Sequence, residues 1–241
     1  MFDALCFAVE AKPDVAGLRK VYGLDPALSD SDITDYAYQR SRALNARDSL
    51  SPHMLSVVAI SVVAHDGLGW QIHSFCDDDE TCLLQGFFSL VASAPGELIC
   101  WEEGATSLVM LRGRALINSM ASIPVAVCGE IGAGGRYVGL QGHYMSADVA
   151  AGLNEFAALL NLPRAQRPKC DAGQFLAAAE TRAVTTALVA LRHGQLIGAL
   201  NHAQRVDLEC ELRQTVVGLD AKYWTGFLSE WPVCAENQRS V

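Results

Sequence analysis

The fold is indicated most clearly by one stretch of the sequence, Leu5-Cys6-Phe7-Ala8-Val9-Glu10-Ala11-Lys12-Pro13-Asp14. An apolar run that closes with a Pro-Asp turn is typical of a buried strand. Glu10 lies near the end of this strand, where burial of a charge without a partner costs free energy. Because side chains alternate along a strand, Ala8 points to the same face as Glu10. The stretch therefore predicts a buried strand that carries one carboxylate and, two residues earlier, a methyl group.

The composition is that of a folded globular protein. The 241 residues suffice for one sizeable core, and the sequence is 51% hydrophobic and 19% charged, unlike a disordered segment. The formal net charge is −9 and the isoelectric point is about 5.1. This acidic balance argues against non-specific binding to nucleic acid or to an anionic membrane, while it leaves room for a local basic groove.

The cysteines and the apolar runs favour a reducing cytoplasm. No two of the eight cysteines form a CxxC pair, so free thiols are expected rather than a zinc site or a disulfide framework. The N-terminus lacks a basic region followed by an apolar stretch, which predicts no signal peptide. No apolar run approaches the roughly 18 residues that a membrane span requires. We therefore expect a cytoplasmic protein with no membrane contact.

Four further segments are candidates for extended structure. The β-branched run Ser56–Ala64 and the alternating run Trp70–Phe75 flank an Asp66-Gly67 turn, which predicts a hairpin of two strands. Leu98–Trp101 is a short apolar strand candidate, and Ile123–Val127 is a weaker one. Because a hairpin is antiparallel, the sheet is not expected to be that of a plain dinucleotide-binding fold.

The remaining segments show helical spacing. Asp77-Asp78-Asp79-Glu80 precedes an apolar helical pattern, so these acids are expected to cap a helix rather than to hold a metal. The most basic loop contains Arg164, Arg167 and Lys169. Further helices are predicted over 107–118, 148–162, 174–200, 203–216 and 219–231, and the polar stretch 24–52 is predicted to be a loop with a short helix. Strands that alternate with helices predict an α/β fold with a mixed sheet.

Several runs together resemble the bacterial 3′–5′ exonucleases that are related to the proofreading domain of family-B DNA polymerases. That family belongs to the DnaQ-like, RNase H-like superfamily. Residues 7–14 resemble its first motif, Phe-Asp-x-Glu-Thr-x-Pro-Asp. Pro52-His53 followed by Val57–Ser61 resembles its strand Pro-x-His-x-x-x-Val-Val-Ala-Ile-Ser.

The second and third motifs of the family have counterparts further along the chain. Leu98–Trp101 with residues 108–116 resembles Leu-Val-Ser-Trp-Asn-Gly-x-x-Phe-Asp-x-Pro-x-Leu-x-x-Arg-Ala-Leu. Glu180-Thr181 and the helix that follows resemble Tyr-Cys-Glu-Thr-Asp-Val. The likeness runs along most of residues 4–231. It implies an RNase H-like mixed five-stranded sheet flanked by helices in residues 1–200, with a C-terminal helical extension, residues 201–241, packed on it.

The catalytic positions of the resembled family are mostly changed. Such exonucleases use four carboxylates to hold two metal ions, one of which activates water while the other stabilises the leaving oxygen. Glu10 matches one of the four, whereas the other three positions carry Ala8, Ser107 and Arg182. Ala178 stands where a tyrosine would position the attacking water. The resemblance therefore implies a nuclease fold that has lost its metal site, and no cofactor is expected.

Arg182 is the most informative of these changes. A guanidinium stays charged at any relevant pH and repels a divalent metal. In the resembled fold, Arg182 and Glu10 would both converge on the metal cluster. We therefore predict a salt bridge between them, which would offset the cost of burying Glu10. The alternative is an Arg182 side chain that turns to solvent.

Two functions follow from the resemblance. The first is a catalytically inactive 3′–5′ exonuclease-like domain that acts by binding a nucleic-acid end or a protein partner, including a second copy. The acidic balance favours a protein slightly. The second is an active exonuclease that uses Mg²⁺ or Mn²⁺ and has relocated its carboxylates, with at least two of Glu102, Glu103 and Glu180 beside Glu10.

Two aromatic features bear on binding. Trp101 is expected in the core or at the rim of the site, and base stacking is the alternative. The last predicted helix carries Trp224, Phe227 and Trp231. These side chains either pack onto the domain or form an apolar contact face.

Overall fold

The fold is organised around a mixed five-stranded sheet. The computed structural model describes residues 2–45, 49–94, 96–101, 106–128, 137–144, 152–167 and 172–232. The strands are β1 (Ala4–Pro13), β2 (Leu55–His65), β3 (Trp70–Phe75), β4 (Glu97–Cys100) and β5 (Tyr137–Gly139). They lie in the order β3-β2-β1-β4-β5. The α/β class and the mixed sheet that the sequence predicts are both confirmed.

β1 occupies the centre of the sheet. β2 pairs antiparallel with both β1 and β3, so β2 and β3 form the predicted hairpin. β4 pairs parallel with both β1 and β5. The β1–β2 register sets Ala8 opposite Ser61 and shifts between Glu10 and Ala11. Because such a shift bends a strand, β1 changes direction directly after Glu10.

Helices cover both faces of the sheet. Their bounds are α1 (Val15–Tyr22), α2 (Asp30–Asn45), α3 (Glu80–Ser93), α4 (Thr106–Ile117), α5 (Val125–Cys128), α6 (Leu140–Tyr144), α7 (Leu153–Leu159), α8 (Ala172–Leu196), α9 (His202–Val217) and α10 (Lys222–Ser229). A 3₁₀ turn, Pro52–Met54, precedes β2.

Alternation along β1 divides the core into two clusters. Cys6 and Ala8 pack on the face that is covered by α8. Phe7 and Val9 pack on the opposite face, with side chains of α3 and α4. Glu10 follows Ala8 by two residues, so it projects towards α8. The long helix is thereby placed over the one carboxylate of the strand.

The C-terminal helices pack against α8 and β3. Trp224, Phe227 and Trp231 are buried in the same core cluster as α8. The indole Nε1 of Trp70, in β3, donates to the carbonyl of Leu208, in α9, at 3.0 Å. These three aromatic side chains therefore belong to the core rather than to a contact face.

Two local predictions were wrong. Residues 24–52 contain a helix of 16 residues, α2, instead of a loop with a short helix. Its buried positions, Ile33, Ala37 and Ser41, are four residues apart and form a narrow stripe on an otherwise polar helix. Residues 125–128 are helical, whereas the sequence suggested extended structure.

The other predicted helices are observed with small changes in length. α4, α8, α9 and α10 match their predicted segments. The segment predicted over 148–162 is helical over Leu153–Leu159, and 148–151 lie outside the described residues. None of the described helices is both long and apolar enough to cross a membrane.

Candidate functional site

β1 and α8 bring Glu10 and Arg182 together. Nη1 of Arg182 lies 3.3 Å from Oε1 of Glu10, which confirms the predicted salt bridge. Glu10 is only 6% exposed, and the Arg182 side chain is 32% exposed. The guanidinium therefore reaches from the helix surface to a buried carboxylate and offsets the cost of burying that charge.

The other changed positions of the resembled family are buried around this pair. Ala8 lies on the α8 face of β1, and Ser107 lies in the first turn of α4. Ala178 is fully buried in α8, one turn before Arg182. A methyl group offers no ligand, and a hydroxyl lacks the negative charge by which carboxylates attract divalent ions.

A cleft with a volume of about 330 Å³ opens beside the salt bridge. Its polar lining includes Arg167, Arg182, Ser107, Thr186, Gln166 and Asn154, and its apolar lining includes Phe7, Ala8, Trp101 and Leu153. In the described part of the chain, two arginines and no Asp or Glu line this cleft. The described lining residues therefore carry a net positive charge, in contrast to the acidic chain as a whole.

The segment 163–167 holds Arg167 at the cleft. The amide of Gln166 donates to Thr181 Oγ1 at 2.9 Å, and the carbonyl of Pro163 accepts from Thr185 Oγ1 at 3.1 Å. The amide of Ala165 also donates to Asn154 Oδ1 at 2.7 Å. These bonds tie the segment to α7 and α8, so Arg167 reaches the cleft from a loop that is anchored to both helices.

Two lining side chains carry buried polar atoms that have no hydrogen-bond partner among the described residues. They are Trp101 Nε1 and Thr186 Oγ1. The neighbouring Thr185 behaves differently, because its hydroxyl donates to the carbonyl of Thr181, one turn back, at 2.8 Å. A buried polar group without a partner costs about 1–3 kcal/mol, and in native proteins such groups call for an explanation.

Glu180, one of the candidates for a relocated metal ligand, is engaged by other side chains. Ser74 Oγ donates to its Oε1 at 2.6 Å, and the Tyr223 hydroxyl donates to its Oε2. Burial and the nearby carboxylate raise the pKa of Tyr223 well above its ordinary value, so the hydroxyl keeps its proton. Glu180 therefore links α8 to β3 and α10. Glu102 and Glu103 lie outside the described residues.

Arg114 forms a buried ionic network that was not predicted. Its Nη1 lies 2.6 Å from Asp14 Oδ2, and its Nη2 lies 2.5 Å from Glu80 Oε2. Glu80 also accepts from the amide of Val57 at 2.6 Å. The network joins α1, α3, α4 and β2 away from the cleft. Asp14 and Arg114 both fall in runs that resemble the exonuclease motifs, which was the one signal that could have indicated them.

Asp14 has two structural roles. Its carboxylate caps α1 by accepting from the amide of Gly17 at 2.9 Å, and it pairs with Arg114. Burial opposes its ionisation, but the Gly17 amide and the Arg114 guanidinium outweigh burial and lower the pKa of Asp14. Asp79 plays the same capping role for α3, where it accepts from the amide of Thr81 at 2.8 Å. The predicted acidic cap of that helix is confirmed.

The residues at the cleft do not fit the pair of metal ions that the resemblance implies. Among the described residues, no three His, Cys, Asp or Glu side chains lie close enough together to hold an ion. Glu10 has a guanidinium beside it where the resembled family would have a second carboxylate. A permanent positive charge at that distance disfavours a divalent cation on the same oxygen atoms.

Comparisons with protein-family models, with curated proteins and with solved structures found no match to this chain. The likeness to the exonuclease family therefore rests on the sequence motifs.

Proposed function

We propose that this chain is a degenerate, catalytically inactive member of the 3′–5′ exonuclease family, and that it acts by binding the end of a nucleic-acid strand. The observation that carries the proposal is the position of Arg182. By the sequence resemblance, Arg182 takes the position of one acid of the family and Glu10 that of another, and the two side chains form a salt bridge. A two-metal mechanism needs the opposite charge at this place.

The charge of the cleft supports nucleic acid as the ligand. Arg167 and Arg182 line it, without an acid among the described lining residues, and phosphates are attracted to such a surface. The apolar side chains of α10, which were the candidate contact face for a protein, are buried. That surface therefore gives no support to a protein partner.

Strand shortening tests the absence of catalysis. Purified protein is incubated with end-labelled single-stranded DNA or RNA in Mg²⁺ or Mn²⁺, and product length is measured on a denaturing gel. The wild type and the Glu10→Gln variant are expected to leave the strand equally intact. An active exonuclease in a parallel reaction shows that substrate and metal are competent. Shortening by the wild type that is lost in Glu10→Gln would establish an active enzyme with relocated carboxylates.

A salt titration tests the binding half of the proposal. Fluorescence anisotropy of a labelled single strand is measured at increasing salt concentration. Because phosphate contacts release counterions, affinity should fall steadily as salt rises. Affinity that does not change with salt, or no binding at low salt, would contradict a nucleic-acid ligand.

A further inference from the structure

We infer that the cleft binds a phosphate group without a metal ion, and that Arg182 and Arg167 supply the positive charge. The ligand class is a nucleotide, either free or as the terminal residue of a strand. The inference rests on the proposed function, because it names the chemistry by which the inactive domain would hold its ligand.

The charges around the cleft favour an anion. Two guanidinium groups line it, and Glu10 lies beside one of them, Arg182. Among the described residues, these three groups sum to one positive charge. A guanidinium presents five N–H donors in a planar fork that matches phosphate oxygens. Glu10 contacts Arg182 through Nη1, and the side chain of Arg182 remains 32% exposed.

The neutral groups at the cleft favour the same ligand. Trp101 Nε1 can only donate a hydrogen bond, and Thr186 Oγ1 can donate one. Both are buried and lack a partner among the described residues. Thr186 lies one turn after Arg182 on α8, so its hydroxyl and the guanidinium share one helix face. Both atoms are shielded from solvent in this conformation, so the two side chains shift when a ligand oxygen accepts from them.

The size of the cleft indicates that the phosphate carries an organic group. Its volume is about 330 Å³. This is more than inorganic phosphate needs and lies within the range of small-molecule sites. Trp101 and Leu153 provide an aromatic and an apolar wall. Such walls suit the sugar and base of one nucleotide.

Glu10 should compete with the ligand for Arg182. In a metal site, removal of a carboxylate weakens binding of a phosphate that is held through the metal. Here the Glu10 carboxylate and the phosphate compete for the guanidinium of Arg182. Glu10→Gln should therefore increase the affinity for phosphate. In a metal site the same substitution would decrease that affinity, so the direction of the effect distinguishes an anion site from a cation site.

The test is a calorimetric titration in EDTA at low salt. The probes are deoxyadenosine monophosphate, deoxyadenosine without phosphate, and a short single-stranded oligodeoxynucleotide. We expect saturable binding of the monophosphate or the strand and none of the nucleoside. Arg182→Gln or Arg167→Gln should weaken binding about tenfold or more, which is the size of one lost charge-assisted hydrogen bond. Thr186→Val should weaken it less, and Glu10→Gln should strengthen it several-fold.

Arg164→Gln is the matched control. Arg164 lies in the same loop as Arg167, but it pairs with Glu230 at 3.0 Å and does not line the cleft. Its removal should leave binding unchanged, so a drop equal to that of Arg167→Gln would indicate non-specific attraction and overturn the inference. Binding of the monophosphate alone identifies a free nucleotide as the ligand, and binding of the strand alone identifies a strand end.

Three outcomes would overturn the anion site. They are no saturable binding of either phosphate probe, binding that appears only with Mg²⁺ or Mn²⁺, and weaker binding in Glu10→Gln. Because Arg182→Gln removes this partner of Glu10, the folding of the variant is checked by circular dichroism. The double variant Glu10→Gln/Arg182→Gln repeats the test without the negative charge of Glu10. If no strand shortening occurs and only the monophosphate fails to bind, the proposed function stands without a free nucleotide as ligand. If neither phosphate probe binds, the absence of catalysis stands, while the anion site and nucleic-acid binding both fail. Strand shortening that depends on Glu10 would contradict the proposed function, whatever the result of the binding titration.

Discussion

Arg182 and Glu10 face one another across the α8–β1 interface, with Nη1 and Oε1 3.3 Å apart. The contact ties a long helix to the central strand at the point where β1 shifts its register. It also sets the charge of the cleft, because the carboxylate is buried and the guanidinium is partly exposed.

The Glu10–Arg182 pair should contribute to stability as a coupled unit. Arg182→Gln is expected to destabilise the fold by about 1–3 kcal/mol, since it leaves a buried carboxylate without this partner. Glu10→Gln/Arg182→Gln should recover a large part of that loss. Urea denaturation of the four proteins in the double-mutant cycle measures the coupling. Strictly additive effects would show that the two side chains do not interact.

Removal of Arg114 should lower the free energy of unfolding more than removal of Arg182. Arg114 is 5% exposed and bridges two carboxylates, so Arg114→Met should cost about 3–5 kcal/mol. The exposed pair of Arg164 and Glu230 is the control, and Arg164→Met should cost less than about 1 kcal/mol. Equal losses in chemical denaturation would show that burial of the network has no energetic consequence.

Asp14 should make the fold sensitive to acid. Its folded-state pKa is lowered, so the unfolded chain binds more protons than the folded chain once the pH falls below about 4. Its contribution is fully present above the unfolded-state pKa and is lost as the pH falls through the lowered folded-state pKa. The free energy of unfolding is measured against pH for wild type and Asp14→Asn. The difference between them should shrink on acidification; a constant difference would contradict the assigned shift.

Tyr223 should stabilise the contact between α10 and α8 through Glu180. Tyr223→Phe removes one of the two hydroxyls that donate to the Glu180 carboxylate. The hydroxyl of Ser74 is the other donor, and it remains. The expected loss is about 1–3 kcal/mol, since Glu180 is buried. Tyr36→Phe, at an exposed tyrosine of α2, should change stability by less than about 0.5 kcal/mol. A loss of stability in Tyr223→Phe no larger than that in Tyr36→Phe would contradict a stabilising hydrogen bond between Tyr223 and Glu180.

The central strand could be predicted because its pattern is local. A continuous apolar run, the turn signals and the alternation of side chains sufficed to place Ala8 and Glu10 on one face of β1. The β2–β3 hairpin was equally accessible, since its strands flank a glycine turn. The meeting of Glu10 with Arg182 is different, because these residues are far apart in the chain. It was expected from the family resemblance and not from spacing.

The missed features depend on tertiary contacts. Arg114 looks like a polar position on a helix surface, and only the convergence of Asp14 and Glu80 allows its burial. α2 was overlooked because three buried positions in 16 residues give a weak helical pattern. The place of Arg167 is set by hydrogen bonds of its loop to α7 and α8, which no local pattern encodes.

Manganese titration tests the central claim most directly, because Mn²⁺ reports a carboxylate metal site without any substrate. Electron paramagnetic resonance measures free Mn²⁺ as it is added to the wild type, Glu10→Gln and Arg164→Gln. We predict that the three proteins bind Mn²⁺ equally weakly, since Arg182 already neutralises Glu10. A saturable site in the wild type that disappears in Glu10→Gln and survives in Arg164→Gln would contradict the account.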